Sequence, residues 1–184
     1  MTASDPNLER ALEQIDARHR QDPAGEALEH ARTVTAWVDR LCPDASPALK
    51  VAARAAHLDR WRVPRRSYPS GRAGYLRWRT NLATMHAEET AELLRACGCE
   101  DQLVERVGAI VRKENLDGDP ETQTFEDALC LAFMARQLAA FSERQPPAQL
   151  ARILERTWRK MSVAGRGAAL TLDLPGHLRS LLPP

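Results

Sequence analysis

The chain has 184 residues, 43% hydrophobic and 28% charged, with a formal net charge of +1. That is enough sequence for one real core, and the balance excludes a disordered chain and a polycation. No apolar run approaches the roughly 20 residues that span a bilayer. The start, MTASDPNLERALEQ, carries acids where a secretory signal has a basic and then an apolar stretch, so a cytoplasmic location and no membrane partner are expected. Cys42, Cys97, Cys99 and Cys130 form no CxxC pair and are read as reduced thiols.

Nothing alternates like a strand, whereas helical signals recur along the whole chain. The pattern predicts helices from Pro6 to about Gln21, from Glu26 to Leu41, and from Pro47 behind the Ser46 cap to about Trp61. An ordered loop follows from Arg62 to Gly71, with Pro64 and Pro69. A long helix is expected from about Ala73 to Ala96, stopping at Gly98, and another from Gln102 to Glu114. Asp119-Pro120 caps a helix to about Glu143, whose ALCLAFMA centre is apolar all round and therefore central. A shorter helix runs from Pro147 to Lys160, and Ser162 caps a last one before the Pro175-Gly176 turn. The fold class is all-α: one helical domain over residues 1–184, a bundle of about 7–9 helices, with the first 20 or so and the last five residues frayed.

The charge is uneven. From Arg60 to Arg79 there are seven arginines and no acid, which leaves −6 for the remainder. Trp61, Tyr68, Tyr75 and Trp78 are interleaved with them. Guanidinium groups bind phosphate bidentately and stack on aromatic planes, so Arg60, Arg65, Tyr68, Arg72 and Arg79 are candidate anion-binding residues. His57 lies beside the apolar stripe of its helix. His86 shares a face with Leu82 and Leu93 and points inward. His30 opens the helix HARTVTAWV. Glu126 and Asp127 stand next to the apolar run of the central helix, where a carboxylate is costly unless paired, bound to a metal or close to a helix start. Lys113 and Glu114 end the helix expected to meet that point.

Taken in order, these residues resemble the HD-domain (histidine–aspartate) phosphohydrolases, helical bundles that hold a divalent metal. The resemblance implies His30, His57, His86 and Asp127 as metal ligands, with Lys113 and Glu126 as catalytic groups. The pair reads His57-Leu58, however, where that family has His-Asp. The implied cofactor is Mn, Fe, Zn, Ni or Mg, or none if the missing aspartate abolishes the site. The runs AARAAHLDRW, PRRSYPSGRAGYLRWR, HAEE, VRKENLDGDPETQTFEDALCLAFM and RTWRKMS resemble the family known as domain of unknown function 4202 over nearly the whole chain. Three functions compete at this level. One is a metal-dependent phosphohydrolase acting on a small phosphorylated metabolite or nucleotide. Another is a non-catalytic module that binds the same anionic ligand. The third is single-stranded nucleic-acid binding through residues 60–79, against which the near-neutral total charge counts.

Overall fold

The computed structural model describes residues 5–183, and among them there are helices and no strand. The helices are α1 (Pro6–His19), α2 (Ala27–Leu41), α3 (Pro47–Arg54), α4 (Gly71–Ala96), α5 (Asp101–Arg112), α6 (Pro120–Arg136), α7 (Leu138–Ser142), α8 (Pro147–Lys160), α9 (Val163–Leu170) and α10 (Gly176–Arg179). Short side-chain caps set many of the starts. Asp5, Ser46, Asp119 and Ser162 accept from the first-turn amides of α1, α3, α6 and α9, and a proline opens α1, α3, α6 and α8. Gly98, at φ 79°, ends α4 as its sequence predicts.

α6 is the axis of the bundle. Its Phe125, Ala128 and Ala132 join a core built by α1 to α5, while Cys130, Leu131 and Met134 join a second core with α7 to α10. That two-sided burial is why its sequence shows no polar face. α2 packs on α3 and α6, α3 on α5, and α5 on α4. α1 closes the first core with Ala11, Ile15 and His19. It is tied to the end of α4 by Arg10, which donates to the Cys97 carbonyl at 2.9 Å, and by Asn7, which donates to that of Gly98 at 2.9 Å.

Two boundaries differ from the sequence expectation. The helix expected to run to Glu143 breaks at Gln137 into α6 and α7. The helix expected to run to Trp61 stops at Arg54, although AARAAHLDRW has good helix propensity. Beyond it the chain makes tight i to i+3 turns, and His57 and Asp59 adopt left-handed φ of 60° and 55°. Each such residue costs about 1–3 kcal/mol. Tertiary contacts override the propensity there: Leu58 is fully buried, worth about 1.5–3 kcal/mol, His57 stacks on His30, and Asp59 is held by Arg18 and Arg62.

Candidate functional site

The three candidate histidines meet. His30 comes from the first turn of α2, His57 from the left-handed turn, and His86 from the middle of α4. The His30 and His57 rings stack with centroids 4.7 Å apart and planes within 2°, and His86 lies tilted against His57 at 5.7 Å. His86 Nδ1 is 2.6 Å from the Leu58 carbonyl. A carbonyl only accepts, so Nδ1 carries the proton and Nε2 keeps its lone pair. That Nε2 is buried without a hydrogen-bond partner, and so are both ring nitrogens of His30. A buried polar atom without a partner costs about 1–3 kcal/mol, so the row holds unspent bonding capacity.

Burial sets the protonation of this row. It pushes His30 down to about 4, helped by the positive charge of Arg60. It pushes His86 down to about 4 as well, against the hydrogen bond to Leu58. His57 falls well below its ordinary value through burial, then through the charges of Arg60 and its neighbouring histidines. All three rings are therefore neutral at pH 7.

Arg60 and Lys113 bring positive charge to the row. Arg60 lies 4.8 Å over the Trp78 ring, whose indole N–H donates to the Val63 carbonyl at 2.9 Å. The Arg60 charge acts on all three rings and that of Lys113 on His57. Arg79 lies within electrostatic reach of both Arg60 and Lys160. Lys113 ends α5 in a left-handed conformation, φ 59°, where glycine is usual, and this turns its ammonium to Glu126. Lys160, the last residue of α8, donates to the same carboxylate at 2.6 Å. Burial raises the Glu126 pKa, but the two lysines outweigh it and hold the group down at about 2. Glu126 is thus a buried counter-ion, ionised at neutral pH and unable to donate a proton there. Cys130, 3.8 Å from it, is pushed up to about 12 by burial and stays a thiol.

Asp127 has a different neighbourhood. It accepts from Gln123 at 3.0 Å, from the Ser162 amide at 2.9 Å and from the Ser162 hydroxyl at 2.5 Å, so it anchors the start of α9. The sequence expectation that the α5 end meets this acid is therefore shifted by one residue: Lys113 reaches Glu126, and Glu114 pairs with Arg112 at 2.6 Å. Among the described residues, no group of three or more His, Cys, Asp or Glu is placed to hold a metal ion. The ligand set that the HD resemblance implies is divided between the histidine row and the α9 cap.

The arginine segment divides too. Arg65 donates to the carbonyls of Tyr68 at 3.0 Å, Pro69 at 2.8 Å and Gly71 at 3.3 Å, building its own loop. Tyr68 accepts from Asn81 at 2.8 Å. Arg62 joins Asp59 at 3.2 Å. Arg72 is exposed, as is Arg79. Four contributors were missed by sequence reasoning. His19 is buried beside the row, its Nε2 2.9 Å from the Arg54 carbonyl, and its spacing of four from Ile15 on the apolar face of α1 was the available signal. Arg18, Asp59 and Lys160 gave none.

No helix among the described residues is long and apolar enough to cross a membrane. No curated protein and no solved structure matches the chain. The family model for a domain of unknown function (DUF4202) matches residues 9–182, and the chain belongs to that family.

Proposed function

We propose that the protein binds a small phosphorylated metabolite or nucleotide between the histidine row and the basic side chains of Arg60, Arg79, Lys113 and Lys160. One observation carries this reading: buried imidazole nitrogens without partners stand beside cationic groups, and none of the three rings bonds a carboxylate. An entering phosphate supplies the missing charge. It recruits Arg60 and Lys113 directly and draws protons onto the rings, which then donate. The four free cysteines, Cys42, Cys97, Cys99 and Cys130, support a reducing, cytoplasmic setting.

Calorimetric titration with inorganic pyrophosphate, sugar phosphates and nucleotides tests the reading. Binding of at least one is expected. Arg60→Met and His86→Gln should each weaken it by about tenfold or more, the scale of one charge-assisted contact. No binding by any of these anions overturns the proposal.

A divalent cation would make the same site a hydrolase by activating water. The residues present do not fit one as they stand. His30 and His57 are stacked in parallel rather than converging, and Asp127 is committed to Ser162. Elemental analysis of the purified protein, with His57→Ala and Asp127→Ala beside it, decides whether this second chemistry applies.

A further inference from the structure

We propose that Asp59 is the positioning residue of the histidine row: its carboxylate holds the turn that sets His57 and the Leu58 carbonyl against His86. The part of this that concerns ligand affinity rests on the function proposed above.

Asp59 is 1% exposed and sits two residues after His57. Arg18 of α1 and Arg62 both bind its Oδ2. The same two arginines reach Glu89 of α4, at 2.6 Å and 3.6 Å. Glu89 lies three residues beyond His86. Four charges thus join α1, the turn and the stretch of α4 that carries His86.

The turn needs such a clamp. Its backbone bonds, Leu58 N–H to Ala55 at 3.0 Å and Arg60 N–H to His57 at 3.0 Å, are local and would be replaced at no loss if α3 continued. The sequence favours that continuation, and two left-handed residues oppose the turn. A continued helix would carry His57 out of the stack and take the Leu58 carbonyl away from His86. Arg54, where the turn begins, is held by Asp16 at 2.9 Å, and Asp59 is the charged anchor that follows Leu58; lying beyond Leu58 in the chain from His57, it acts without touching the ligand.

Histidine ¹⁵N NMR at pH 7.5 and pyrophosphate titration test this together. Asp59→Asn keeps the volume and a residue type that accepts left-handed φ, and removes the charge and one acceptor oxygen. Arg106→Met is the control. It breaks a comparable cluster with Asp119 and Glu121 elsewhere in the fold. In the wild type, His86 should show a protonated Nδ1 and a bare Nε2. Asp59→Asn should lose that signature and weaken pyrophosphate by about tenfold, while Arg106→Met lowers Tm and keeps both. The proposal is overturned if Asp59→Asn keeps the signature, or if Arg106→Met loses it equally. Should Asp59→Asn not fold, Arg18→Met, which removes one of the two guanidiniums, is read by the same criteria. A wild type that binds no pyrophosphate sinks the anion site, and the NMR arm still decides the role of Asp59.

Discussion

Two buried polar groups flank the same bundle, and they are finished to different degrees. On α6, Glu126 is met by two lysines, and Asp127 is met by three donors from Gln123 and Ser162. In the histidine row, three ring nitrogens meet nothing. Both are polar clusters in low-dielectric surroundings, where satisfied groups rigidify a fold and unsatisfied ones are tolerated only for a reason. The comparison teaches that burial of a charged or polar residue does not mark a site: Glu126 Oε2 also lacks a hydrogen bond but is ion-paired to Lys113, whereas the free nitrogens of the row have neither.

The largest expected effect separates the two groups by pH. The folded His30 and His86 sit near 4 against an ordinary 6.5, so the unfolded chain binds more protons between those values. Their stability is full above pH 6.5 and is lost as pH falls towards 4, at on the order of 3 kcal/mol per ring. Glu126, held near 2 against 4.5, contributes stability that is present above pH 4.5 and lost as pH falls through 2. Urea melts from pH 8 to 3 should therefore show a first decline that His30→Gln and His86→Gln flatten and Glu126→Gln does not. A single decline confined below pH 4.5 breaks the comparison.

Next in size are the changes at the α6 acids. Asp127→Ala leaves the Ser162 amide without its acceptor and the Gln123 side chain with the Lys160 carbonyl as its remaining one, and should cost about 2–3 kcal/mol. Gly165→Ala attacks the same cap by volume. A Cβ there lies 2.5 Å from the Asp127 carboxylate carbon, so α9 must shift, at about 1–3 kcal/mol. If Asp127 only caps α9, both variants should bind pyrophosphate as the wild type does once their Tm loss is allowed for. A selective loss of binding in Asp127→Ala alone would return that residue to the site.

Much of this fold was legible because its signals are local. Pro47 behind Ser46, Asp119-Pro120, Ser162 and Gly98 mark ends by their own chemistry. The all-round apolar centre of α6 announced a central, buried helix, and the structure sets it between two cores. His30, His57 and His86 could be picked out by residue type, and His86 by its face as well, and they do meet, although His57 comes from a turn and not from the helix face expected. The stop of α3 could not be read, because its cause lies 41 residues away in Arg18 and 30 residues away in Glu89. The same distance hid Lys160, whose partner Glu126 is on another helix. The acids were legible as buried but not as satisfied, since their partners come from α5 and from the α8–α9 junction.

The arginine segment extends the comparison to the surface, with the smallest effects. Arg65 spends its guanidinium on three carbonyls of its own loop, whereas Arg66, Arg72 and Arg77 make no hydrogen bond or ion pair among the described residues. Arg65→Ala should therefore cost about 1–2 kcal/mol, because several backbone acceptors lose a charged donor while water can reach the exposed ones. Arg72→Ala should stay within about 0.5 kcal/mol of the wild type, as a surface change away from any paired group does. Thermal melts of the two variants side by side read this directly. Equal losses would mean that Arg72 has a partner in the folded protein, and the division of this segment into loop-building and uncommitted arginines would fall. With the expected inequality, Arg72 and its uncommitted neighbours carry positive charge that the fold itself does not use.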